Sequence, residues 1–301
     1  MTRANKGGGL PYALGAYLIW GLLPLYLRLL QAVPPFEFVG WRVIFTLPVC
    51  LLAIAVTRNW RALATALANL RTMLVLLGSS LLIGINWLIY IWAILEGHVL
   101  ASSLGYYINP LANVLAGTLF LGERLSRRQW WAVALAGAGG ALLAMGALDM
   151  LWISVSLAIS FSGYGLVRKL APVESLPGLT VESVVLLIPA MLICYHYAQA
   201  PLGAAFGRDS QTSILLVLAG VITAVPLLLF TEAARRMDYS TLGFVQFLSP
   251  TLVFVLGLFV FHEPLRPLQL GSFVLIWAAA GLFICDLLAR RKISREISSP
   301  A

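Results

Sequence analysis

The chain has 301 residues, 60% of them hydrophobic and only 11% charged, too little charge to coat a water-soluble surface. Its formal net charge of +8 would suit an anionic partner such as nucleic acid, but the placement of the basic residues assigns them to topology instead. Three cysteines (Cys50, Cys194, Cys285) and three histidines (His98, His196, His262) are dispersed, so no disulfide framework, metal site or other cofactor is expected.

A membrane-spanning helix needs about 20 apolar residues, and ten such runs are predicted. Leu10–Leu30 is too long for a signal-peptide core and lacks a convincing cleavage site, so it reads as the first span; it sets Tyr17, Gly21, Pro24 and Arg28 on one face beside Trp20. Phe36–Val56 carries Arg42. Thr72–Leu95 carries Asn86 and Tyr90, with Trp87 and Trp92 close by. Val99–Leu121 aligns Ser102, Tyr106, Asn109 and Asn113 on one face at helical spacing. Gln129–Ala147 instead shows Ala132, Ala136, Gly140 and Ala144, a small-residue packing face. Leu151–Val167 is the shortest run, with Ser156, Ser160, Tyr164 and Arg168 at four-residue steps. Leu179–Ala198 follows, then Ser213–Ala234 with Thr223, Pro226 and Phe230, Thr241–Phe261 with Gln246 and Ser249, and Leu268–Leu288.

With a cytoplasmic N-terminus, sixteen Lys and Arg residues fall in inside segments (Arg3, Lys6, Arg58, Arg61, Arg71, Arg124, Arg127, Arg128, Arg168, Lys169, Arg235, Arg236, Arg290, Arg291, Lys292, Arg295) and two, Arg208 and Arg266, outside. That asymmetry is a positive-inside signal placing both termini in the cytoplasm. It leaves no call for nucleic-acid binding.

Aligning Pro110 with Pro250, an offset of 140, brings Gly117 onto Gly257, Glu123 onto Glu263, Leu125 onto Leu265 and Gln129 onto Gln269. With a two-residue shift, Ser102–Tyr106 matches Ser240–Phe244. Five spans separate the copies, an odd number, so they point in opposite directions. The expected fold is therefore an all-α integral membrane protein of ten transmembrane helices, residues 1–148 and 149–301 forming two inverted five-helix repeats, an arrangement that secondary transporters use around a midplane substrate site.

A polar side chain inside hydrocarbon has a cost unless it meets a partner or water. The stripes predict a central cavity lined by spans one to four and six to nine, with spans five and ten as peripheral struts. Candidate substrate-binding residues are Trp20, Arg42, Asn86, Tyr90, Tyr106, Asn109, Tyr164 and Gln246; the alternative is that such residues only tie helices together. Arg42 lies about six residues into its span, where a charge costs ~2.5–3.5 kcal/mol. Glu37, five residues away on the same helix, points elsewhere, so another helix, water or an anionic substrate group balances the charge, unless Arg42 is structural or snorkels outward. Glu182 and Glu232, near the inner ends of their spans, either couple protons or face cytoplasmic water. Pro24, Pro48, Pro110, Pro189, Pro226 and Pro250 permit kinks, and Glu123 and Glu263 read as helix caps.

The strings Ser103-Leu104-Gly105-Tyr106-Tyr107-Ile108-Asn109-Pro110, Phe120-Leu121-Gly122-Glu123-Arg124 and Ser240-Thr241-Leu242-Gly243-Phe244-Val245-Gln246 resemble the EamA-type drug/metabolite transporters. With Asn86-Trp87 and Tyr164-Gly165-Leu166-Val167-Arg168-Lys169 the chain is similar to the RarD subfamily over nearly its whole length. The resemblance implies a ten-helix, inverted-repeat carrier with cytoplasmic termini in a bacterial inner membrane, and an association with chloramphenicol sensitivity.

The expected function is a permease or exporter that moves a small metabolite, such as an amino acid or an amphipathic drug-like solute, by alternating access; its partners are that solute and membrane lipid. No phosphate-binding G-x-x-x-x-G-K-[ST] string occurs. An intramembrane enzyme would need a nucleophile–base pair or metal cluster at depth, which the scattered histidines do not supply. A channel would favour symmetric rings of identical groups.

Overall fold

The computed structural model describes residues 8–145, 148–262 and 267–298, in which the backbone is helical and the connections are short. Helices pair every interior N–H and C=O within one segment, the condition for crossing hydrocarbon. In chain order the described helices are α1 (Leu10–Arg28), α2 (Pro35–Thr57), α3 (Trp60–Ala68), α4 (Leu70–Leu95), α5 (Val99–Leu121), α6 (Arg127–Ala144), α7 (Leu151–Leu170), α8 (Ser175–Ala198), α9 (Ser210–Arg236), α10 (Tyr239–Gln246), α11 (Leu248–Phe259) and α12 (Pro267–Ser298).

Among the described residues, eight segments are long and apolar enough to cross a membrane: α1, α2, α4, α7 with the turn before it, α8, α9, the α10–α11 pair and α12. The predicted fourth and fifth spans, α5 and α6, fall below that apolarity. Tyr106, Tyr107, Asn109 and Asn113 dilute the first, and Arg127, Arg128 and Gln129 open the second. Both are nevertheless packed into the bundle: α5 lies against α7 and α10, and α6 against α12.

Three expectations change. The loop after the second span contains α3, whose Leu63 and Ala66 are buried with Ile54, Leu76 and Val181; nine residues are too few for a span-length pattern to register. The ninth span is two helices that part at Phe247. Pro250 has no N–H to donate to the carbonyl of Gln246, four residues earlier, and its ring crowds that oxygen. The sixth span is not short, because α7 continues through Arg168 and Lys169. Protein groups receive both charges there: Lys169 Nζ donates to the carbonyls of Ala234 and Met237 at 2.6 Å each.

The small-residue face of α6 lets α12 approach closely. Ala132 and Ala136 are buried with Ile276, Ala279 and Phe283, and Ser272 Oγ donates to the Gly139 carbonyl at 2.5 Å. Gly220 does the same for α9 on α2, since a Cβ there would collide with the Phe45 carbonyl.

Helix starts recur with a constant spacing. Pro35 and Ser175, Leu70 and Ser210, Val99 and Tyr239, and Arg127 and Pro267 each differ by 140 residues. Packing recurs with them: α1 meets α9 and α11 as α7 meets α4 and α5, while α2 meets α8, α5 meets α10 and α6 meets α12.

Basic loops gather at one end of the bundle. Asn59 Nδ2 donates to Glu174 Oε2 at 2.9 Å, joining the loop after α2 to the loop after α7. Glu123, after α5, accepts from the backbone N–H of Tyr239 at 2.6 Å and of Ser240 at 2.8 Å, and from Ser240 Oγ at 2.5 Å. It is a cap, as its sequence suggested, but for α10 across the bundle rather than for the helix that follows it. Glu263 lies outside the described residues. The start of α1 reaches the same end, where Arg236 sits 4.7 Å over the Tyr12 ring, and so does α12, where Ser126 Oγ bonds Asp286 at 2.9 Å. Replacing Glu123 with Ala removes three accepted hydrogen bonds and should destabilise the bundle by about 1–3 kcal/mol, measured as a lower melting midpoint of the detergent-solubilised protein, with E123Q intermediate.

Candidate functional site

The charge at Arg42 organises the middle of the bundle. It stands seven residues after Pro35, the first residue of α2, and among the described residues no carboxylate pairs with it. Its Nε donates to Thr223 Oγ1 on α9 at 3.2 Å. The guanidinium lies 4.3 Å from the centroid of the Trp87 ring on α4 and 5.9 Å from that of Phe38, so its positive charge rests on π-faces. Tyr26, Tyr90 and Tyr106 lie within its electrostatic reach. Tyr90 and Tyr106 pack edge to face at 5.8 Å. Tyr106 keeps 48% of its surface accessible, which makes this corner a cleft rather than filled core. Glu37 is fully buried and turned away, its Oε1 accepting from Trp41 Nε1 at 3.0 Å and from the Ala205 N–H at 2.5 Å.

Directly beyond Thr223 and Trp87 is a cavity of about 10 Å³, lined by Val43, Thr46, Ile83, Trp87, Tyr164, Leu179, Glu182, Ser183, Leu186, Thr223 and Leu227. That is room for about one water. Its walls come from α2, α4, α7, α8 and α9, a narrower set than the eight spans expected. At its far wall Glu182 is only 1% exposed. The reading in which this carboxylate faces cytoplasmic water is therefore overturned: Ser79 Oγ donates to Oε1 at 2.5 Å, Tyr164 OH to Oε2 at 3.2 Å, and Arg168 Nε lies 3.5 Å from Oε1. Glu232, by contrast, is partly open and pairs with Arg236 at 2.5 Å.

The eight residues chosen from sequence divide. Arg42, Tyr90 and Tyr106 come together at the cleft. Tyr164 is buried and serves Glu182. Asn86 bridges helices, its Nδ2 donating to the Leu157 carbonyl and to Ser160 Oγ, both at 2.9 Å. Trp20 packs among Tyr17, Phe161 and Phe230 with ring centroids 5.6–5.8 Å away. Gln246 ties three helices, its Oε1 accepting from Asn113 Nδ2 at 2.6 Å and from Tyr17 OH at 3.5 Å. Asn109 is buried with its Oδ1 unpartnered. Sequence reasoning left out Ser79, whose only signal was a hydroxyl at mid-span. Among the described residues no cluster of His, Cys, Asp or Glu is placed to hold a metal.

Residues 7–145 match the EamA-like transporter family. A protein named as an uncharacterized transporter of Pseudomonas aeruginosa is 42% identical over 289 residues, 95% of this chain and 96% of that one. Protein RarD of Escherichia coli K12 is 39% identical over 298 residues, covering 98% and 100%. A Pseudomonas aeruginosa protein named chloramphenicol-sensitive protein RarD is 31% identical over 278 residues, covering 91% and 92%. One crystal structure superposes with a TM-score of 0.71 at 20% identity, covering 94% of this chain and 98% of the other; at that identity the likeness is one of fold. Fold and relatives together define a multi-pass membrane transporter. The chain belongs to the EamA-like transporter family, within its RarD subfamily.

Because the Asn86 amide joins α4 to α7, Asn86→Ala should lower stability by about 1 kcal/mol while leaving most transport intact. Melting midpoint and flux measured on one preparation separate that outcome from a role in solute binding.

Proposed function

We propose that the chain is a secondary carrier of ten transmembrane helices, with residues 1–148 and 149–301 forming two inverted repeats, and that it moves a small metabolite across a bacterial inner membrane by alternating access. Support for the repeat is the recurrence of helix starts every 140 residues from α2 to α12, with the matching packing pairs. The cavity recurs too: Val43 and Ser183, Thr46 and Leu186, Ile83 and Thr223, and Trp87 and Leu227 are wall residues 140 apart. An element shared by two inverted halves lies near the midplane, where carriers hold their substrate. The gathering of the basic loops at one end, with the start of α1 and the far part of α12, supports a cytoplasmic placement of that end and of both termini.

The single observation that carries the substrate reading is Arg42: a guanidinium at membrane depth, beside an accessible tyrosine, whose partners among the described residues are a hydroxyl and aromatic faces. It suits a solute with a carboxylate or other acidic group to meet the guanidinium and a planar or apolar part to lie on Trp87, Tyr90 and Tyr106. An amino acid or an amphipathic aromatic compound has that chemistry. At the proposed cytoplasmic end Glu123 ties the two halves together, while Lys169 and Arg235 bind carbonyls within the second half; with Tyr106 still accessible beside Arg42, this supports a conformation open on the Arg42 side. Exchange of conformations between the halves would open the other. Among the described residues no charge ring or nucleophile–base pair favours a channel or an enzyme.

An unbiased metabolite comparison of deletion and overexpression strains, inside and outside the cell, identifies the solute, and proteoliposomes then test the carrier. Saturable flux with counterflow is expected; non-saturating flux, or none for any solute, overturns the proposal. Arg42→Ala and Asn109→Ala should each reduce flux at least tenfold with membrane levels unchanged, and normal flux in both removes the proposed site. Tags on the two termini should report the same, cytoplasmic side.

A further inference from the structure

We propose that Glu182 is a proton-binding site of the transport cycle, the counterpart of Arg42 in the other half of the molecule. Arg42 stands seven residues after Pro35 at the start of α2, and Glu182 seven after Ser175 at the start of α8. The two residues are 140 apart, the spacing that relates the cavity walls; Glu182 lines the water-sized space, and Arg42 contacts two of its other wall residues, Thr223 and Trp87. In this conformation Arg42 borders an accessible cleft and Glu182 is sealed. A carrier whose halves exchange conformations would reverse that, burying the Arg42 position and opening the Glu182 position to the basic end.

Buried ionisable groups in membrane segments are costly and generally functional. Here the cost is visible in unmade bonds. Arg168 is 1% exposed, and its Nε and one Nη have no hydrogen-bond partner; its contact with Glu182, at 3.5 Å, is ionic rather than a hydrogen bond. The other Nη donates to the Ser175 carbonyl at 2.9 Å. Gly178 makes room for this guanidinium, since a Cβ there would overlap it. A pair kept only for stability would be better replaced by apolar packing. The groups facing Glu182 are Arg168 and Tyr164 from α7, Ser79 from α4 and Cys50 from α2. From α9, Thr223 and Leu227 close the cavity. Because Arg168 also holds the Ser175 carbonyl, it stays anchored when Glu182 takes up a proton. The carboxyl then needs no counter-charge, and Ser79 and Tyr164 remain as its hydrogen-bond partners. The one-water space beside Glu182 can hold the water that hands it the proton, and exchange with the basic end follows when the halves exchange conformations.

The site is tested with the full-length protein in lipid bilayers and protons as the only ligand, by infrared difference spectroscopy across a pH jump. The wild type should show one reversible carbonyl band of a buried protonated carboxyl. That band should vanish in Glu182→Gln, persist in Glu37→Gln and Glu232→Gln, and shift in frequency in Ser79→Ala and Tyr164→Phe, which remove its hydrogen bonds. The same jump should change Trp87 emission, read as the difference between wild type and Trp87→Phe, and this change should disappear in Glu182→Gln. No band in the folded wild type, a band unchanged in Glu182→Gln, or, should that variant fail to fold, a band indifferent to both Ser79→Ala and Tyr164→Phe, overturns the proposal. The proposal rests on the carrier reading for its role. Its signal needs no transported solute, so its failure is separate from failure of counterflow.

Discussion

Every polar atom placed inside hydrocarbon must find a partner within the protein or reach water, and this requirement shapes each level of the structure. At the backbone it makes the described chain helical. In the side chains it turns an apparently scattered set of amides, hydroxyls and charges into a connected interior. Asn86 meets Leu157 and Ser160, Gln246 meets Asn113 and Tyr17, and Glu182 meets Ser79, Tyr164 and Arg168. Among the described residues the requirement is not fully met at Glu37, Asn109, Asn113 and Arg168, each of which keeps a buried side-chain atom without a hydrogen-bond partner.

The two ends of the bundle handle charge differently. At the basic end, cations are taken up by backbone carbonyls: Lys169 by Ala234 and Met237, Arg168 by Ser175, Arg235 by Ala171 and Val173. These bonds all lie within residues 149–301, joining α7, the segment between α7 and α8, and α9. Glu123 instead links residues 1–148 to residues 149–301, capping a helix more than a hundred residues away. At the other end Trp41, Phe45 and Phe206 cluster at 4.8–5.7 Å, alongside polar ties of that end's own: Glu37 accepts from the Ala205 N–H at 2.5 Å and Tyr26 OH donates to the Leu215 carbonyl at 2.6 Å. Cations at the basic end are thus met by backbone carbonyls, whereas the Arg42 guanidinium lies against aromatic faces and one hydroxyl.

Much of this was legible before any coordinates. Apolar runs near 20 residues located the helices, the Pro110–Pro250 register anticipated the 140-residue spacing of helix starts, and Arg42 stood out as a charge with no same-helix partner. The small-residue face of α6 was readable because close helix approach needs a missing side chain, whatever the partner. Less legible were features whose cause lies on another element. Pro250 marks a kink in any reading, but that it breaks α10 from α11 while Pro110 leaves α5 continuous is not visible in the two prolines themselves. Glu182 near a helix end looked solvent-facing, because only the neighbouring α4 and α7 show that Ser79, Tyr164 and Arg168 enclose it.

Sequence by itself determined the helical membrane class, the approximate segments, the internal repeat register and the inventory of polar groups that had to be accommodated, because these follow from local hydrophobicity and spacing along one strand of chain. Tertiary structure alone decided which polar residues are ties and which face open space. Asn86 and Tyr90 sit four residues apart on one helix face and are alike in polarity, yet one bonds α7 and the other stands in the Arg42 cleft. That choice depends on what the opposing helix presents, and an opposing helix is not a property of the segment it opposes.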